Sequence, residues 1–166
     1  MIRLYNTNIE TNKFERVKTY ERGTWIHMVN PSEKEIQEVC EKVNIKDDFI
    51  RYSLDYEEKA RIDIEDDDDT ILFIIDIPVT EKTESGGYIY STMPIGMIVV
   101  RDDFFITVSL RECSLIKKFE TGKVKGFYTY KKSRFILQMM YNNSSEYLQY
   151  LKKINKETEI AENVLK

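Results

Sequence analysis

The chain has 166 residues, of which 42% are hydrophobic and 33% charged, and these values suit one domain with its own core. The net charge of −4 excludes a global basic field of the kind that holds nucleic acid. No apolar run approaches the roughly 20 residues that span a bilayer, and MIRLYNTNIE lacks the apolar core of a signal peptide. Two distant cysteines indicate reduced thiols, and a single histidine, His27, argues against a histidine-rich zinc site.

The first thirty residues predict short strands. IRLY and KFERVKTY contain β-formers with polar interruptions, and Thr24–Val29 alternates along TWIHMV before Asn30 and Pro31 end the strand. His27 lies inside this strand with no serine or cysteine nucleophile near it in sequence. A packed or edge histidine is therefore favoured over a catalytic one.

Two helices are predicted next. Ser32 and Glu35 have the spacing of a capping box, and Asn44 is a plausible C-cap. The apolar face between them consists of Ile36, Val39, Cys40 and Val43. A second, short helix is predicted from Asp47 to about Tyr56, with Phe49, Ile50 and Leu54 directed inward.

The middle of the chain predicts strands. Ala60–Glu65 alternates, with Ile62 and Ile64 on one face, whereas Thr70–Val79 is nearly continuously apolar and should be covered on both faces. A polar turn is predicted at Glu81–Gly87. Further strands are predicted at Tyr88–Tyr90, Met93–Val100 and Phe104–Ser109, and a helix at Cys113–Thr121. The short connections indicate mainly antiparallel pairing.

The last segment, from about Ser133, contains no proline and no glycine, so it predicts a long helix. An apolar seam with heptad spacing runs through Tyr147, Leu151, Ile154, Thr158, Ala161 and Leu165. Because this pattern reaches Lys166 without a stop signal, we expect the chain to be a fragment of a longer protein. A native C-terminal helix that frays is the alternative.

The densest acidic run, Glu65–Asp69, lacks the alternation and the glycine of a calcium-binding loop. Neighbouring side chains of an extended segment point to opposite sides, so these carboxylates cannot all converge on one ion. A solvated hairpin turn between Ile62–Ile64 and Ile71–Ile77 is the favoured interpretation. A weak, nonspecific cation site is the alternative.

A second acidic patch lies on the predicted short helix. Asp48 and Asp55 are seven residues apart, about two turns, so they would share one helical face. They are too far apart to bind one ion together, but each could meet a carboxylate of a neighbouring subunit with a divalent cation between. Asp48 and Asp55 are the candidate metal residues, and a solvated helix face is the alternative.

The order of these elements resembles the cytosolic part of CorA-type divalent-cation transporters. TWIHMVNPSEKEIQEVCEKVNI is similar to the family's strand-to-helix entry, and FIRYSLDYEEKARIDIEDDDDTILFIIDIP to its short helix and long central strand. MPIGMIVVRDDFFITVSL resembles the next hairpin. KKSRFILQMMYNNSSEYLQYLKKINKETEIAENVLK resembles the start of the helices that lead toward the pore.

The resemblance implies an α/β fold in the α+β sense, with a mainly antiparallel mixed sheet sandwiched between helices (α/β/α). Residues 1–166 would form a single cytosolic sensor domain, and a helix over about 133–166 would lead toward a stalk and pore. The full-length protein would be a homopentamer in the cell membrane, touching the membrane only through its transmembrane helices. Mg²⁺ bound between the cytosolic domains would favour the closed pore, and Co²⁺, Ni²⁺ or Zn²⁺ could take its place.

This sequence departs from the family in two ways. The Gly-Met-Asn signature and both transmembrane helices of the family have no counterpart in the sequence, so this chain alone would not transport an ion. The acidic residue of the short helix that bridges subunits falls near Tyr52, which cannot act as a carboxylate ligand. Asn142 and Asn143 fall where the family can offer the partner carboxylate.

Two other functions compete with a regulatory domain that senses a cation. One is a free-standing interaction module that associates through the C-terminal seam. The other is a metal-dependent hydrolase that uses the acidic patches, although no histidine or nucleophile converges with them and no nucleotide-binding or GxSxG motif occurs. We therefore expect no enzyme, and no nucleic-acid partner.

Overall fold

The computed structural model describes residues 1–65, 69–101 and 103–164. Within these ranges the chain forms a seven-stranded sheet with helices on both faces. The strands are β1 (Ile2–Thr7), β2 (Phe14–Val17), β3 (Trp25–Val29), β4 (Arg61–Glu65), β5 (Thr70–Lys82), β6 (Tyr88–Val100) and β7 (Phe104–Ser109). The helices are α1 (Glu33–Val43), α2 (Asp48–Tyr52), α3 (Ser114–Glu120) and α4 (Lys132–Val164).

The sheet is mixed and mainly antiparallel, which confirms the predicted fold class. Its strand order is β2-β1-β3-β7-β6-β5-β4, and in this sheet β3 and β7 pair in parallel while every other neighbouring pair is antiparallel. The parallel pair arises because the chain crosses from β3 through α1, α2 and three strands before it returns as β7.

Two hydrophobic cores lie on the two faces of the sheet. The first contains residues of α1 and α2, and the second contains residues of α3 and α4. Trp25 and Ile26 are neighbours in β3, yet they enter different cores. All five residues of β3 are buried, because helices cover both of its faces.

Helix α1 begins and ends as its sequence predicts. The Glu35 amide donates to Ser32 Oγ over 3.3 Å, and the Ser32 amide donates to Glu35 Oε2 over 2.8 Å, which completes the capping box. Asn44 adopts a left-handed backbone with φ of 54°, and its amide donates to the Cys40 carbonyl. Asparagine tolerates this conformation better than most residues, so it ends the helix at low cost.

The structure corrects three predicted boundaries. Helix α2 ends at Tyr52, four residues before Tyr56, where Ser53 packs against Gly96 of β6 and its hydroxyl donates to the Phe49 carbonyl. Strand β5 continues to Lys82, so the hairpin turn is shorter than Glu81–Gly87. The two strands predicted over 88–100 form one strand, since β6 pairs with β5 along its whole length.

The C-terminal half of β5 forms an edge of the sheet, because β4 does not extend along it. The Arg101 amide donates to the Asp69 carbonyl, which places the odd-numbered residues of β5 in the hydrogen-bonded pairs with β6. The carbonyl of Asp76 therefore points away from β6, toward this edge. Pro78 faces the same edge, where a missing amide proton removes no ladder hydrogen bond.

Helix α4 supplies the partners that this edge lacks. Asn143 Nδ2 donates to the Asp76 carbonyl over 2.9 Å, and the Tyr147 hydroxyl donates to the same oxygen over 3.2 Å. The Tyr90 hydroxyl of β6 donates to Glu157 over 2.8 Å further along the helix. These polar contacts fix α4 across the sheet and satisfy a carbonyl that would otherwise lack a donor.

Glu146 joins α4 to α3 and is 3% exposed. Its carboxylate accepts a hydrogen bond of 2.9 Å from Ser114 Oγ and lies 2.8 Å from the ammonium of Lys118. These partners offset the loss of hydration that burial imposes on a carboxyl group. In the described ranges no helix combines the length and the apolarity that a membrane crossing requires.

Candidate functional site

The candidate site lies on α2, and a close contact with the sheet positions this helix. Phe49 and Ile50 enter the first core, and Ser53 is fully buried beside Gly96 of β6. A Cβ atom at position 96 would overlap the Ser53 side chain. Only glycine therefore lets the end of α2 lie this close to the sheet. This close packing also fixes how far the acidic residues around Ser53 lie from the sheet.

Asp48 and Asp55 are exposed on the outer side of this segment. Asp48 is the first residue of α2, and Asp55 follows its C-terminal turn, where its carboxylate accepts a hydrogen bond from the Glu57 amide over 3.0 Å. Neither carboxylate forms an ion pair with a basic side chain of the described residues, and the same holds for Glu57.

Other acids in this region do have basic partners. Arg51 lies 2.6 Å from Glu33 and 2.7 Å from Asp47, and its guanidinium lowers the pKa of both carboxyl groups. Arg61 pairs with Glu58 and Asp63. The arginines thus neutralise these carboxylates. Asp48 and Asp55 have no such partner among the described residues, so a dissolved cation can reach them.

A shallow hollow of about 270 Å³ separates the start of α2 from β4. Its lining includes Asp48, Asp63 and Glu65, with Lys46 forming an ion pair to Glu65. The pairing of β4 with β5 brings these strand carboxylates beside the helix, a long-range placement that local sequence patterns cannot reveal. The hollow therefore carries more negative than positive side chains on its wall.

The structure corrects the reason for grouping Asp48 with Asp55. Because α2 ends at Tyr52, Asp55 does not lie on a helical face shared with Asp48. No three His, Cys, Asp or Glu side chains converge as a metal cluster within the described part of the chain. Ligation by Asp48 and Asp55 stays a prediction, and it requires oxygen ligands from elsewhere.

Tyr52, which stands where the resembling family carries an acid, is 42% exposed. Its ring lies beneath the Arg61 guanidinium, 5.0 Å from the ring centroid. This cation–π contact holds a basic side chain beside the candidate residues. A carboxylate in place of the ring would meet that same arginine.

Asn142 and Asn143 are engaged within their own chain. Asn143 is buried and donates to the Asp76 carbonyl, whereas Asn142 donates to the Gln138 carbonyl over 2.8 Å. Asn143 therefore faces the sheet beneath it. This leaves Asn142 as the member of the pair nearer to solvent.

His27 is a packed core residue, as its strand position predicts. It is fully buried, and its Nδ1 lies 2.8 Å from the Thr107 hydroxyl, which also accepts a hydrogen bond of 2.8 Å from the indole of Trp25. Burial, with the nearby charge of Arg3, lowers the pKa of His27 to about 3. The imidazole is thus neutral at physiological pH.

The two cysteines are unsuited to nucleophilic chemistry. Burial raises the pKa of the Cys40 thiol to about 11 and that of Cys113 to about 12. The nucleophilic thiolate is therefore scarce at neutral pH. Cys40 packs against the first core, in line with its prediction as a small core residue.

The predicted hairpin around the acidic run is confirmed where the structure describes it. Strands β4 and β5 pair antiparallel, with Glu65 opposite Thr70. Asp69 adopts a left-handed φ of 48°. Asp66–Asp68 lie outside the described residues, so the weak cation site predicted there stays a prediction.

The sheet covers only part of the predicted heptad seam of α4. Tyr147 bonds to Asp76 and belongs to the side that faces the protein, whereas Leu151 is 52% exposed. Thr158 and Ala161 are exposed, and Leu165 lies outside the described residues. The seam therefore does not form one uncovered face, because part of it already packs on the domain.

Of the comparisons with known proteins, the family profile identifies a family. A profile of the family described as "CorA-like Mg2+ transporter protein" matches residues 20–166. No protein of curated function matches the sequence significantly.

Solved structures share the fold at low sequence identity. The complete CorA magnesium transporter of Methanocaldococcus jannaschii superposes with a TM-score of 0.76 at 20% identity, over 98% of this chain and 50% of that one. The soluble domain of the same transporter gives 0.79 at 18% identity, over 99% and 64% of the two chains. The ZntB cytoplasmic domain of Vibrio parahaemolyticus gives 0.70 at 14% identity, over 93% and 62%.

The profile match over residues 20–166 shows the family of the chain, and the similarity to solved structures supports its fold. The chain spans half the length of the complete transporter and less than two thirds of each soluble domain. The profile covers all elements from β3 to the last residue. The chain belongs to the CorA-like Mg²⁺ transporter family.

Proposed function

We propose that this chain is the cytosolic regulatory domain of a CorA-like divalent-cation transporter. In the assembled protein, a homopentamer in the cell membrane, Mg²⁺ binds between neighbouring cytosolic domains and favours the closed state of the pore. Family membership supports the assignment as a transporter domain. The assignment as a sensor rests on Asp48 and Asp55.

The observation that carries this proposal is the distribution of ion pairs around α2. Arg51 and Arg61 neutralise four nearby carboxylates, but Asp48 and Asp55 remain exposed without a basic partner among the described residues. Carboxylates of two subunits that approach each other repel unless a divalent cation lies between them. The cation then binds the assembled state better than the separated one, which is the requirement for a sensor.

The ligand chemistry favours a hard cation. Asp48 and Asp55 offer only oxygen, the donor that Mg²⁺ prefers, whereas His27 is buried and Cys40 is half-buried against the first core. Co²⁺, Ni²⁺ and Zn²⁺ bind carboxylates as well, so they belong in the same titration. Selectivity in transport would be set by the pore.

The test compares the thermal midpoint and the mass of the chain in millimolar Mg²⁺ and in chelator at equal ionic strength. We expect Mg²⁺ to raise both quantities, because a ligand that binds the associated native state stabilises it. The variant Asp48→Asn/Asp55→Asn should lose this response. Unchanged melting curves and masses in the wild-type chain would overturn the sensor assignment.

The matched control is Glu33→Gln, which removes an exposed carboxylate that Arg51 already neutralises. This variant should respond to Mg²⁺ like the wild type. If both variants lose the response equally, general surface charge and not a defined site binds the ion.

A further inference from the structure

Arg61 connects three segments around the candidate site. Its guanidinium lies over the Tyr52 ring of α2, forms an ion pair with Glu58 between α2 and β4, and donates from Nε to Asp63 of β4 over 2.7 Å. The side chain of Arg61 is 30% exposed, so these contacts hold it against the surface of the protein. A full positive charge is therefore fixed beside the carboxylates that we propose to bind Mg²⁺.

The shallow hollow between α2 and β4 shows where this charge acts. Asp48 and Tyr52 line the hollow from the helix, and Asp63 lines it from the strand. Arg61 contacts two of these lining residues, Tyr52 and Asp63, so its guanidinium lies next to the hollow. A cation that approaches Asp48 from this side therefore enters the field of the guanidinium.

The second arginine of this region, Arg51, is directed elsewhere. It pairs with Glu33 of α1 and with Asp47 at the start of α2, and neither of these acids lines the hollow. Arg51 thus ties α2 to α1, whereas Arg61 ties α2 to β4. Of the two arginines, Arg61 is the one that acts on the side of the hollow.

The stretch 47–65 around these residues is strongly acidic. It contains seven Asp or Glu and three Lys or Arg, so its net charge of −4 equals that of the whole chain. A local excess of negative charge attracts divalent cations to the surface. Each basic side chain in the stretch therefore offsets a large share of that attraction.

The stability of the fold does not explain the three contacts of Arg61. The side chains of Glu58 and Asp63 are 20% and 40% exposed, and ion pairs between partly exposed groups contribute little to stability. Strand β4 is attached to the sheet by its backbone pairing with β5, in which Arg61 lies opposite Ile74. The property of Arg61 that these contacts preserve is the position of its charge.

We propose that Arg61 is a resident cation that competes with Mg²⁺ and sets the concentration at which the site on α2 responds. Its guanidinium occupies oxygens of Glu58 and Asp63 that would otherwise attract the ion, and it repels an ion that approaches Asp48. The inference rests on the proposed sensing function, because it concerns the affinity of that same site. Arg61 acts on this affinity without being a ligand of the ion.

The consequence is a threshold and not a block. At a protein surface, water and salt weaken the repulsion between one fixed charge and a divalent ion, so we expect Arg61 to lower the affinity about threefold. The site then stays empty at low Mg²⁺ concentration and fills only when the ion is abundant. Because a guanidinium keeps its charge throughout the physiological pH range, this threshold does not depend on pH.

The first experiment titrates the wild type, Arg61→Gln and Arg61→Lys with Mg²⁺ at low ionic strength and follows the thermal midpoint and the mass. Arg61→Gln should respond at an Mg²⁺ concentration about threefold lower than the wild type. Arg61→Lys keeps the charge and should respond at the wild-type concentration. Circular dichroism in chelator shows whether each variant is folded.

The matched control is Arg111→Gln, which causes the same change in net charge. Arg111 pairs over 2.7 Å with Glu81, in the part of β5 that β4 does not reach. This variant should respond to Mg²⁺ at the wild-type concentration. If it shifts as far as Arg61→Gln, net charge and not the position of Arg61 sets the threshold, and the proposal is overturned.

The second experiment repeats the titrations of the wild type and Arg61→Gln in about 1 M monovalent salt, where charges are screened within about 3 Å. The difference between the two chains should then disappear. A difference that persists would show that Arg61 acts by holding α2 in place and would overturn its role as a competing charge. A higher Mg²⁺ requirement of Arg61→Gln at low salt would overturn it as well.

The outcomes distinguish this inference from the proposed function. If the wild type responds to Mg²⁺ and Arg61→Gln responds at the same concentration, the competition by Arg61 is refuted and the sensor assignment stands. If only Arg61→Gln responds, the wild type is not a sensor, and the competition by Arg61 is supported. If neither chain responds, both proposals are refuted.

Discussion

Helices α2 and α4 pack on opposite faces of the sheet, and they are held by different means. A glycine in the sheet lets α2 approach until Ser53 touches β6, whereas polar side chains of α4 reach the sheet edge and α3. The outer side of α2 is charged, and that of α4 is uncharged from Phe135 to Leu151. The difference makes the outer side of α2 the better candidate for binding a small ion, because exposed charges are present there and absent from that stretch of α4.

A large effect at neutral pH is expected where α2 meets the sheet. Gly96→Ala introduces a methyl group that overlaps Ser53, so α2 must move or β6 must distort. We expect a loss of about 2–3 kcal/mol in the free energy of unfolding, the usual cost of overpacking a tight contact. Urea denaturation measures it.

Two further variants sharpen this first prediction. Gly87→Ala adds a methyl group in an exposed turn and should cost less than about 1 kcal/mol. Gly96→Ala/Ser53→Gly removes the overlapping side chain and should recover part of the loss. If the double variant is no more stable than Gly96→Ala, the contact with Ser53 is not what requires glycine.

A smaller loss is expected where α4 meets α3. Glu146→Gln keeps a hydrogen-bond acceptor for Ser114 but removes the ion pair with Lys118. Because the side chain of Lys118 is 30% exposed and can turn to water, we expect a loss of about 2 kcal/mol, less than for a fully buried pair. Glu33→Gln breaks an exposed ion pair and should cost clearly less than Glu146→Gln. Equal losses for both variants would contradict a special role of the buried pair.

Because His27 is buried, we expect the free energy of unfolding to depend on pH. The pKa of His27 falls from its usual 6.5 to about 3 on folding, so between these values the unfolded chain binds more protons than the native chain. The stabilisation is complete above about pH 6.5 and is lost as the pH falls toward 3, by up to about 1.4 kcal/mol per pH unit. In His27→Gln this contribution is missing.

The measurement is the difference in free energy of unfolding between wild type and His27→Gln across this range. The difference should shrink as the pH falls. Carboxyl groups with lowered pKa values, such as Glu35, act in the same direction but are present in both chains and cancel. A difference that is constant from pH 7 to about 4 would show that His27 does not change its proton affinity on folding.

The sequence predicted most of the fold where local signals suffice. Ser32 and Glu35 define the start of α1 by themselves, and Leu115, Ile116 and Phe119 of α3 are buried as their spacing predicts. The end of α2 could not be predicted in this way, because it depends on Ser53 meeting Gly96, a residue 43 positions away. Only the fold brings these two together.

The candidate site and helix α4 show the same limit. Asp48 and Asp55 could be chosen from the sequence as exposed acids, but the neutralisation of Glu33 by Arg51 depends on how α1 and α2 lie together, since these residues are 18 positions apart. Helix α4 carries overlapping apolar patterns, and the sequence favoured the seam that contains Tyr147. The contact with Asp76 decides which pattern faces the sheet, and it leaves the other outside.

The smallest effect on stability is expected at the site with the largest proposed role. Asp48→Asn/Asp55→Asn removes two exposed charges that form no ion pair within the described chain, so in chelator the free energy of unfolding should change by less than about 0.5 kcal/mol. The same variant should also lack the rise in thermal midpoint that we expect Mg²⁺ to cause in the wild type. Residues that act on an ion and not on the fold must show this separation. A loss above about 1 kcal/mol in chelator would mean that these carboxylates support the α2 turn itself, as Asp55 does in part by accepting from the Glu57 amide.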